Sequence, residues 1–159
     1  MSASALANRL ELKIPPLALV VLALALTCTL GVFTPQVEGL DAARWTVGGV
    51  LLVAAAVTGV SGILAFRRAQ TTVNPLRPER ASTLVTTGVY GFTRNPMYLA
   101  MELGLLAAGV FTGGPAALLG PALLAGILTR LQIVPEERAL AANFGPAYVE
   151  YRARVRRWI

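Results

Sequence analysis

The 159-residue chain has no histidine, a single cysteine, and only 14% Asp, Glu, Lys and Arg. Without histidine it lacks the commonest general base and the commonest metal ligand, so neither a zinc nor a haem site is expected. One cysteine allows no intrachain disulfide; Cys28 falls within an apolar run and reads as a small apolar residue. The scarcity of charge accompanies 55% hydrophobic residues, a balance unlike that of soluble domains of this length. Lipid is therefore the expected solvent, and no nucleic-acid partner is expected.

The apolar residues fall into four runs, so the expected fold is all-α, a single domain built as a bundle of four transmembrane helices. At 1.5 Å per residue, about twenty helical residues cover the roughly 30 Å of a bilayer's hydrocarbon. Residues 14–33 meet that length, with Pro15 and Pro16 in the first turn, where a missing N–H costs nothing, and Thr34 and Pro35 at the end. This run exceeds the roughly 7 to 15 residues of a signal-peptide core. Residues 47–66 form the second, entered at Trp45 and closed by Arg67 and Arg68. The third, 97–111, covers only about 22 Å, so it lies short of one interface, thins the bilayer or extends through its flanks. Thr112-Gly113-Gly114-Pro115 then turns the chain into the fourth, 116–134.

Alternating the loops across the membrane puts Arg9, Lys13, Arg67, Arg68, Arg77, Arg80, Arg94, Arg130, Arg138, Arg152, Arg154, Arg156 and Arg157 on one side and Arg44 on the other. The positive-inside rule makes the crowded side cytoplasmic, with both termini there, in a multi-pass protein of the cell's inner membrane. Two cytoplasmic segments carry nearly all the polar residues, a loop over 67–95 and a tail over 135–159. Asn74-Pro75, Arg77-Pro78 and Thr87-Gly88 make the loop irregular. The tail reads as two helices parted at Asn143-Phe144-Gly145-Pro146.

Arg94-Asn95-Pro96-Met97-Tyr98 opens the third helix, with Asn95 as its N-cap and Pro96 its first residue. A helix N-terminus beside an arginine is also a ready site for a carboxylate. Glu102 shares a helix face with Tyr98 and Asn95 and is the one acid inside a predicted span, where it either faces the bundle interior or snorkels to the surface. Glu136 and Glu137 stand where the fourth helix leaves the membrane, as a solvated helix start or as acceptors for a cationic or hydroxylated ligand. Tyr148, Tyr151 and Val155, with Arg152, Arg156, Arg157 and Trp158, read as an amphipathic helix lying on anionic headgroups, a role compatible with covering a ligand.

In order and spacing these pieces resemble the isoprenylcysteine carboxyl methyltransferases and the related phospholipid methyltransferases, small membrane enzymes that use S-adenosylmethionine. Gly88-Val89-Tyr90 followed by Arg94-Asn95-Pro96-Met97-Tyr98 matches the first signature; Glu136, Glu137, Leu140, Phe144, Gly145, Tyr148, Tyr151, Arg157 and Trp158 match the second. The resemblance covers roughly 74–159, the first two helices matching only as generic spans. Asn95 stands where the family has histidine, which keeps a donor, an acceptor and capping but removes proton transfer, so Asn95 is read as a positioning residue.

The resemblance implies a cytoplasm-facing cofactor pocket, with Arg94 and the helix N-terminus for the methionine carboxylate, Glu136 or Glu137 for the ammonium and ribose hydroxyls, and Tyr90 or Leu99 as adenine walls. Asn95 and Tyr98 complete the cofactor set. Arg94, Glu102 and Glu137 are the candidate catalytic residues, with Glu102 or Glu137 as base for an amine acceptor; a carboxylate acceptor needs none. Tyr148, Tyr151 and Arg152 are candidate contacts to a lipid-like acceptor entering sideways from the bilayer. Two alternatives remain at this point. A sterol-reductase-like enzyme would share the C-terminal helices but use NADPH, and a proton-coupled exporter would use Glu102.

Overall fold

The computed structural model of the chain describes residues 8–69 and 81–159, so the expected turns at Asn74-Pro75 and Arg77-Pro78 lie outside the described residues. Those described are helical, with no strand among them. The helices are α1, Pro16–Phe33; α2, Asp41–Arg68; α3, Pro96–Thr112; α4, Leu119–Leu128; α5, Val134–Phe144; and α6, Pro146–Arg154. A 3-10 turn, Pro115–Leu118, leads into α4, and a π-helical turn, Thr129–Ile133, joins α4 to α5. The stretch Pro115–Phe144 is therefore one rod.

Three helices are long and apolar enough to cross a membrane, namely α1, α2 and this rod, while the apolar α3 is shorter at 17 residues. The protein is a multi-pass membrane protein. α2 begins six residues earlier than the apolar run predicts, because Asp41 in the first turn, with Arg67 and Arg68 in the last, complements the helix dipole. Its buried residues are Gly48, Ala55 and Gly62, a row of small side chains repeating every seventh position, which lets α2 lie close against α3. A Cβ on Gly62 would come within 3.3 Å of Met97, and one on Gly48 would strike the Phe111 ring. The other residues of α2 are exposed or half-buried, as suits a helix with one side toward lipid.

The core lies between α1, α3 and the rod, where Leu19, Tyr98, Leu105, Leu124, Leu128 and Ile133 pack together. Gly120 crosses α1 so closely that a Cβ there would overlap the Thr27 hydroxyl. Gly113 ends α3 at φ +76°, a left-handed conformation that turns the chain toward the rod.

The sequence predicts a helix ending near 134, yet the rod runs straight through Pro135. Proline has no N–H for the carbonyl four residues back, here Leu131, and its ring presses on that carbonyl. The π turn relieves the crowding, with Val134 N–H bonding to the Thr129 carbonyl. The freed Leu131 carbonyl accepts a hydrogen bond from Leu12 N–H at 3.0 Å, and Gln132, fully buried, donates from its amide to the Ile14 carbonyl at 2.6 Å. Glu11 pairs with Arg130 and Arg138. The N-terminal arm is thus tied along the middle of the rod. Arg130 holds the Glu11 carboxyl below the usual carboxylate range, with Arg138 adding to the effect.

Candidate active site

The loop after α2 returns to the bundle through a 3-10 turn, Gly88–Gly91, which buries Tyr90 against Phe66 of α2, the rings edge-to-face at 5.3 Å. The chain then enters α3 at Pro96. Asn95 takes the N-cap position as predicted, but its side chain does not cap the helix. Its amide instead donates to the Arg157 carbonyl at 2.9 Å, while its own N–H is held by the Thr93 hydroxyl at 3.1 Å.

The C-terminal segment folds back across this turn. Arg94 N–H bonds to the Arg156 carbonyl at 3.0 Å, and its guanidinium donates to the carbonyls of Val155 at 2.5 Å and Arg152 at 3.2 Å. The same guanidinium reaches Glu137 at 2.6 Å, and Arg157 grips Glu137 from the other side at 2.7 and 3.0 Å. With side chains only 8% and 9% exposed, Arg94 and Glu137 form a buried pair, where Coulomb attraction is screened far less than at a surface. Hydrogen bonding to Glu137 raises the Arg157 pKa. Trp158 packs against the core and donates from Nε1 to the Thr129 hydroxyl at 3.3 Å, so the tail ends on the π turn.

α6 follows Gly145, whose φ of +51° and ψ of −127° suit glycine alone. Its tyrosines do not lie on headgroups as the amphipathic reading expects. Tyr148 and Tyr151 are 2% and 3% exposed, with rings 6.2 Å apart, and Tyr151 donates to the Tyr90 carbonyl at 2.8 Å. Packing against Leu140, Ala141 and Phe144 of α5 and Leu84 of the loop turns that face inward, leaving Arg152 and Val149 outside. Burial pushes the Tyr148 phenol up to about 12 and the Tyr151 phenol up as well, so both stay neutral donors at physiological pH.

These elements enclose a cavity of about 270 Å³. Tyr90, Arg94, Asn95, Tyr98, Glu136, Glu137, Tyr148 and Tyr151 line it, joining two stretches of chain separated by 38 positions between Tyr98 and Glu136. The Tyr98 hydroxyl donates to Glu136. Three residues picked out from the sequence do not reach the cavity. Leu99 projects from α3 about 160° away from Met97 and is half-buried outside the cavity. Glu102 is buried in the stripe Tyr98, Glu102, Leu105 and Gly109 that faces the bundle interior, and one of its oxygens has no partner; it does not snorkel. The Arg152 side chain is exposed, and its carbonyl alone serves the site.

Sequence reasoning missed the apolar end of the cavity, made by Pro16, Phe66, Met97 and Met101, and the clasping role of Arg157. Arg157 stands in the second signature, which is the signal that could have found it. Among the described residues no cluster of His, Cys, Asp or Glu suits a metal.

A model of the phospholipid methyltransferase family matches residues 43–147. An uncharacterized protein of Haemophilus influenzae is 38% identical over 63 residues, covering 40% of this chain and all of that protein. The cobalt-zinc-cadmium resistance protein CzcN of Cupriavidus metallidurans is 37% identical over 73 residues, 46% of this chain, and the matched stretch spans 33% of CzcN. No solved structure matches.

Proposed function

The chain belongs to the phospholipid methyltransferase family and is a membrane methyltransferase, and from that premise we propose that it transfers a methyl group from S-adenosylmethionine to a lipid-like or other amphiphilic acceptor, a carboxylate or an amine, at the cytoplasmic membrane face. The observation that carries this reading is the convergence of the Arg94-Asn95 turn and the Glu136-Glu137 pair on one cavity, closed by the tail.

The donor groups present fit the cofactor. Arg94 has both terminal nitrogens engaged, but its Nε is buried without a partner, a donor waiting for an anion. It lies beside the N-terminus of α3, so the two together suit the methionine carboxylate. Glu137 has its charge taken by two guanidinium groups, so it holds the tail, and Glu136 is the carboxylate left to meet an ammonium or ribose hydroxyls. Asn95 fixes the tail's carbonyl without titrating. Leu140, Tyr90, Tyr148 and Tyr151 supply apolar and aromatic walls for the adenine.

When bound, S-adenosylmethionine supplies a sulfonium methyl group that is displaced in line, so alignment provides much of the rate. The chain's part is to orient and to exclude water, which the returning tail and the buried tyrosines accomplish. The apolar end of the cavity faces the acceptor.

Calorimetry of the detergent-purified protein with S-adenosylmethionine, S-adenosylhomocysteine and NADPH tests the reading. Both adenosyl compounds bind and NADPH does not, and Arg94→Ala weakens binding by about tenfold or more, about 1.4 kcal/mol. Binding of NADPH alone, or of none of the three, would contradict it.

A further inference from the structure

The inward stripe of the rod changes step at the π turn. From Leu124 to Leu128 it advances four residues, as an α-helix does, then five to Ile133 and four again to Glu137, each of these residues being buried. The π turn has taken up one extra residue, which sets everything beyond it back by one position, or about 100°, around the rod. Without that residue the stripe would run from Leu128 to Gln132 to Glu136, and Glu136 would stand where Arg94 and Arg157 now meet Glu137. The turn therefore decides which acid is clasped and which is left for a ligand.

Pro135 makes the turn possible, but it is the N-terminal arm that grips it. Three successive residues are held there: Arg130 by Glu11 and Asn8, the Leu131 carbonyl by Leu12 N–H at 3.0 Å, and Gln132 through the Ile14 carbonyl at 2.6 Å. Leu12 makes its bond at φ +56°, a left-handed conformation that leucine rarely adopts. The arm thus accepts backbone strain to reach this carbonyl, and strain of that kind gathers where a structure has a task to perform. Residues 8–14 do not line the cavity, so whatever they do for the site they do through the rod.

We propose that the N-terminal arm is a positioning element of the cavity, with Glu11 and Leu12 as its positioning residues. By pinning the π turn it keeps Glu137 in the arginine clasp and leaves Glu136 free of arginine to meet the cofactor. That the ligand is a cofactor rests on the methyl-transfer reading, whereas the hold on the clasp does not. Released from the arm, the turn can give up its extra residue or spread it along the rod. Both acids then lose their places together, because they follow the turn on one continuous helix.

Two double-mutant cycles on the full chain in detergent test this, with Leu12→Pro as the arm substitution, since proline has no N–H and cannot take a positive φ. The first is read as the unfolding midpoint without cofactor: Glu137→Gln lowers it roughly twice as much in the otherwise wild-type protein as in Leu12→Pro. The second is read as S-adenosylhomocysteine affinity: Leu12→Pro and Glu136→Gln each weaken it about tenfold, and together they weaken it still by about tenfold. Substitutions that share no contact ordinarily add, so an arm that merely stabilises the fold gives about a hundredfold. Leu12→Gly, which keeps the N–H and takes the left-handed conformation without strain, rescues both affinity and midpoint. Should Leu12→Pro not fold, Glu11→Gln, which removes the ion pairs to Arg130 and Arg138, takes its place in both cycles. A wild-type protein that binds no S-adenosylhomocysteine removes the methyl-transfer reading, while the first cycle still decides the role of the arm. Additive losses in either cycle, or a Leu12→Gly protein as impaired as Leu12→Pro, would overturn the proposal.

Discussion

Glu136 and Glu137 are neighbours in sequence with different partners. Glu137 is clasped by Arg94 and Arg157, and Glu136 takes the Tyr98 hydroxyl. Breaking a buried ion pair by removing one partner costs on the order of 3 to 5 kcal/mol, because the other charge is left uncompensated. Arg157 is 37% exposed and adds little of that. Glu137→Gln is therefore expected to lower the thermal unfolding midpoint in detergent by roughly 5 °C or more, and Glu136→Gln to leave it nearly unchanged while weakening S-adenosylhomocysteine about tenfold. A Glu136→Gln protein that unfolds as early as Glu137→Gln would reverse the assignment of roles. The sequence brings both acids to notice but cannot separate them, because which one meets the arginines depends on the phase of a helix that continues through Pro135. The same limit applies to Glu102, Tyr98 and Asn95, which do share a side of α3; periodicity shows the shared face but not that the cavity, which reaches Met101, is not lined by Glu102.

At the scale of elements, the rod depends on an exchange of hydrogen bonds that no local propensity contains. Pro135 leaves the Leu131 carbonyl free, the π turn makes room, and Leu12 N–H supplies the missing donor. Pro135→Ala restores an N–H that competes for Leu131, so the Leu12 amide is expected to exchange with solvent at least tenfold faster by hydrogen exchange mass spectrometry. Unchanged protection at Leu12 would show that the arm is held otherwise. The arm carries its own pH dependence. Arg130 and Arg138 depress the Glu11 pKa in the folded state, so the stabilisation is present above the unfolded carboxylate value and is lost as pH falls through the lower folded value. Limited proteolysis of the arm should rise as pH drops below about 4, and Glu11→Gln should make it rapid at every pH; an arm equally resistant in that variant at neutral pH would sink the idea. Pro135 reads as a helix end in the sequence because the compensating donor, Leu12 N–H, lies 119 positions upstream of Leu131; the second apolar run falls short of α2 where the terminal turns carry charged residues, and the first begins two residues before α1 does.

Across the whole molecule, polar chemistry gathers at one end. The arm, the turn before α3, the π turn and the returning tail meet there, whereas Arg44 sits at the other with Asp41 and Gln36 for company. Counting arginines was enough to read that two-ended arrangement, and the two signatures were enough to bring eight cavity residues together. The inward course of the tail was not legible, because Tyr148, Tyr151 and Trp158 have the same amphipathic spacing whether they face headgroups or a cavity. Ending the chain after Arg154 removes the carbonyls of Val155, Arg156 and Arg157 that the turn before α3 holds, together with Arg157's grip on Glu137. S-adenosylhomocysteine binding is then expected to be lost while helical circular dichroism persists; retained binding would make the tail dispensable. The most direct measurement is ultraviolet cross-linking of radiolabelled S-adenosylmethionine to the full chain, with the labelled peptides identified. The account predicts label within 90–98 and within 136–151, competed away by S-adenosylhomocysteine; saturable label confined to other parts of the chain would contradict it.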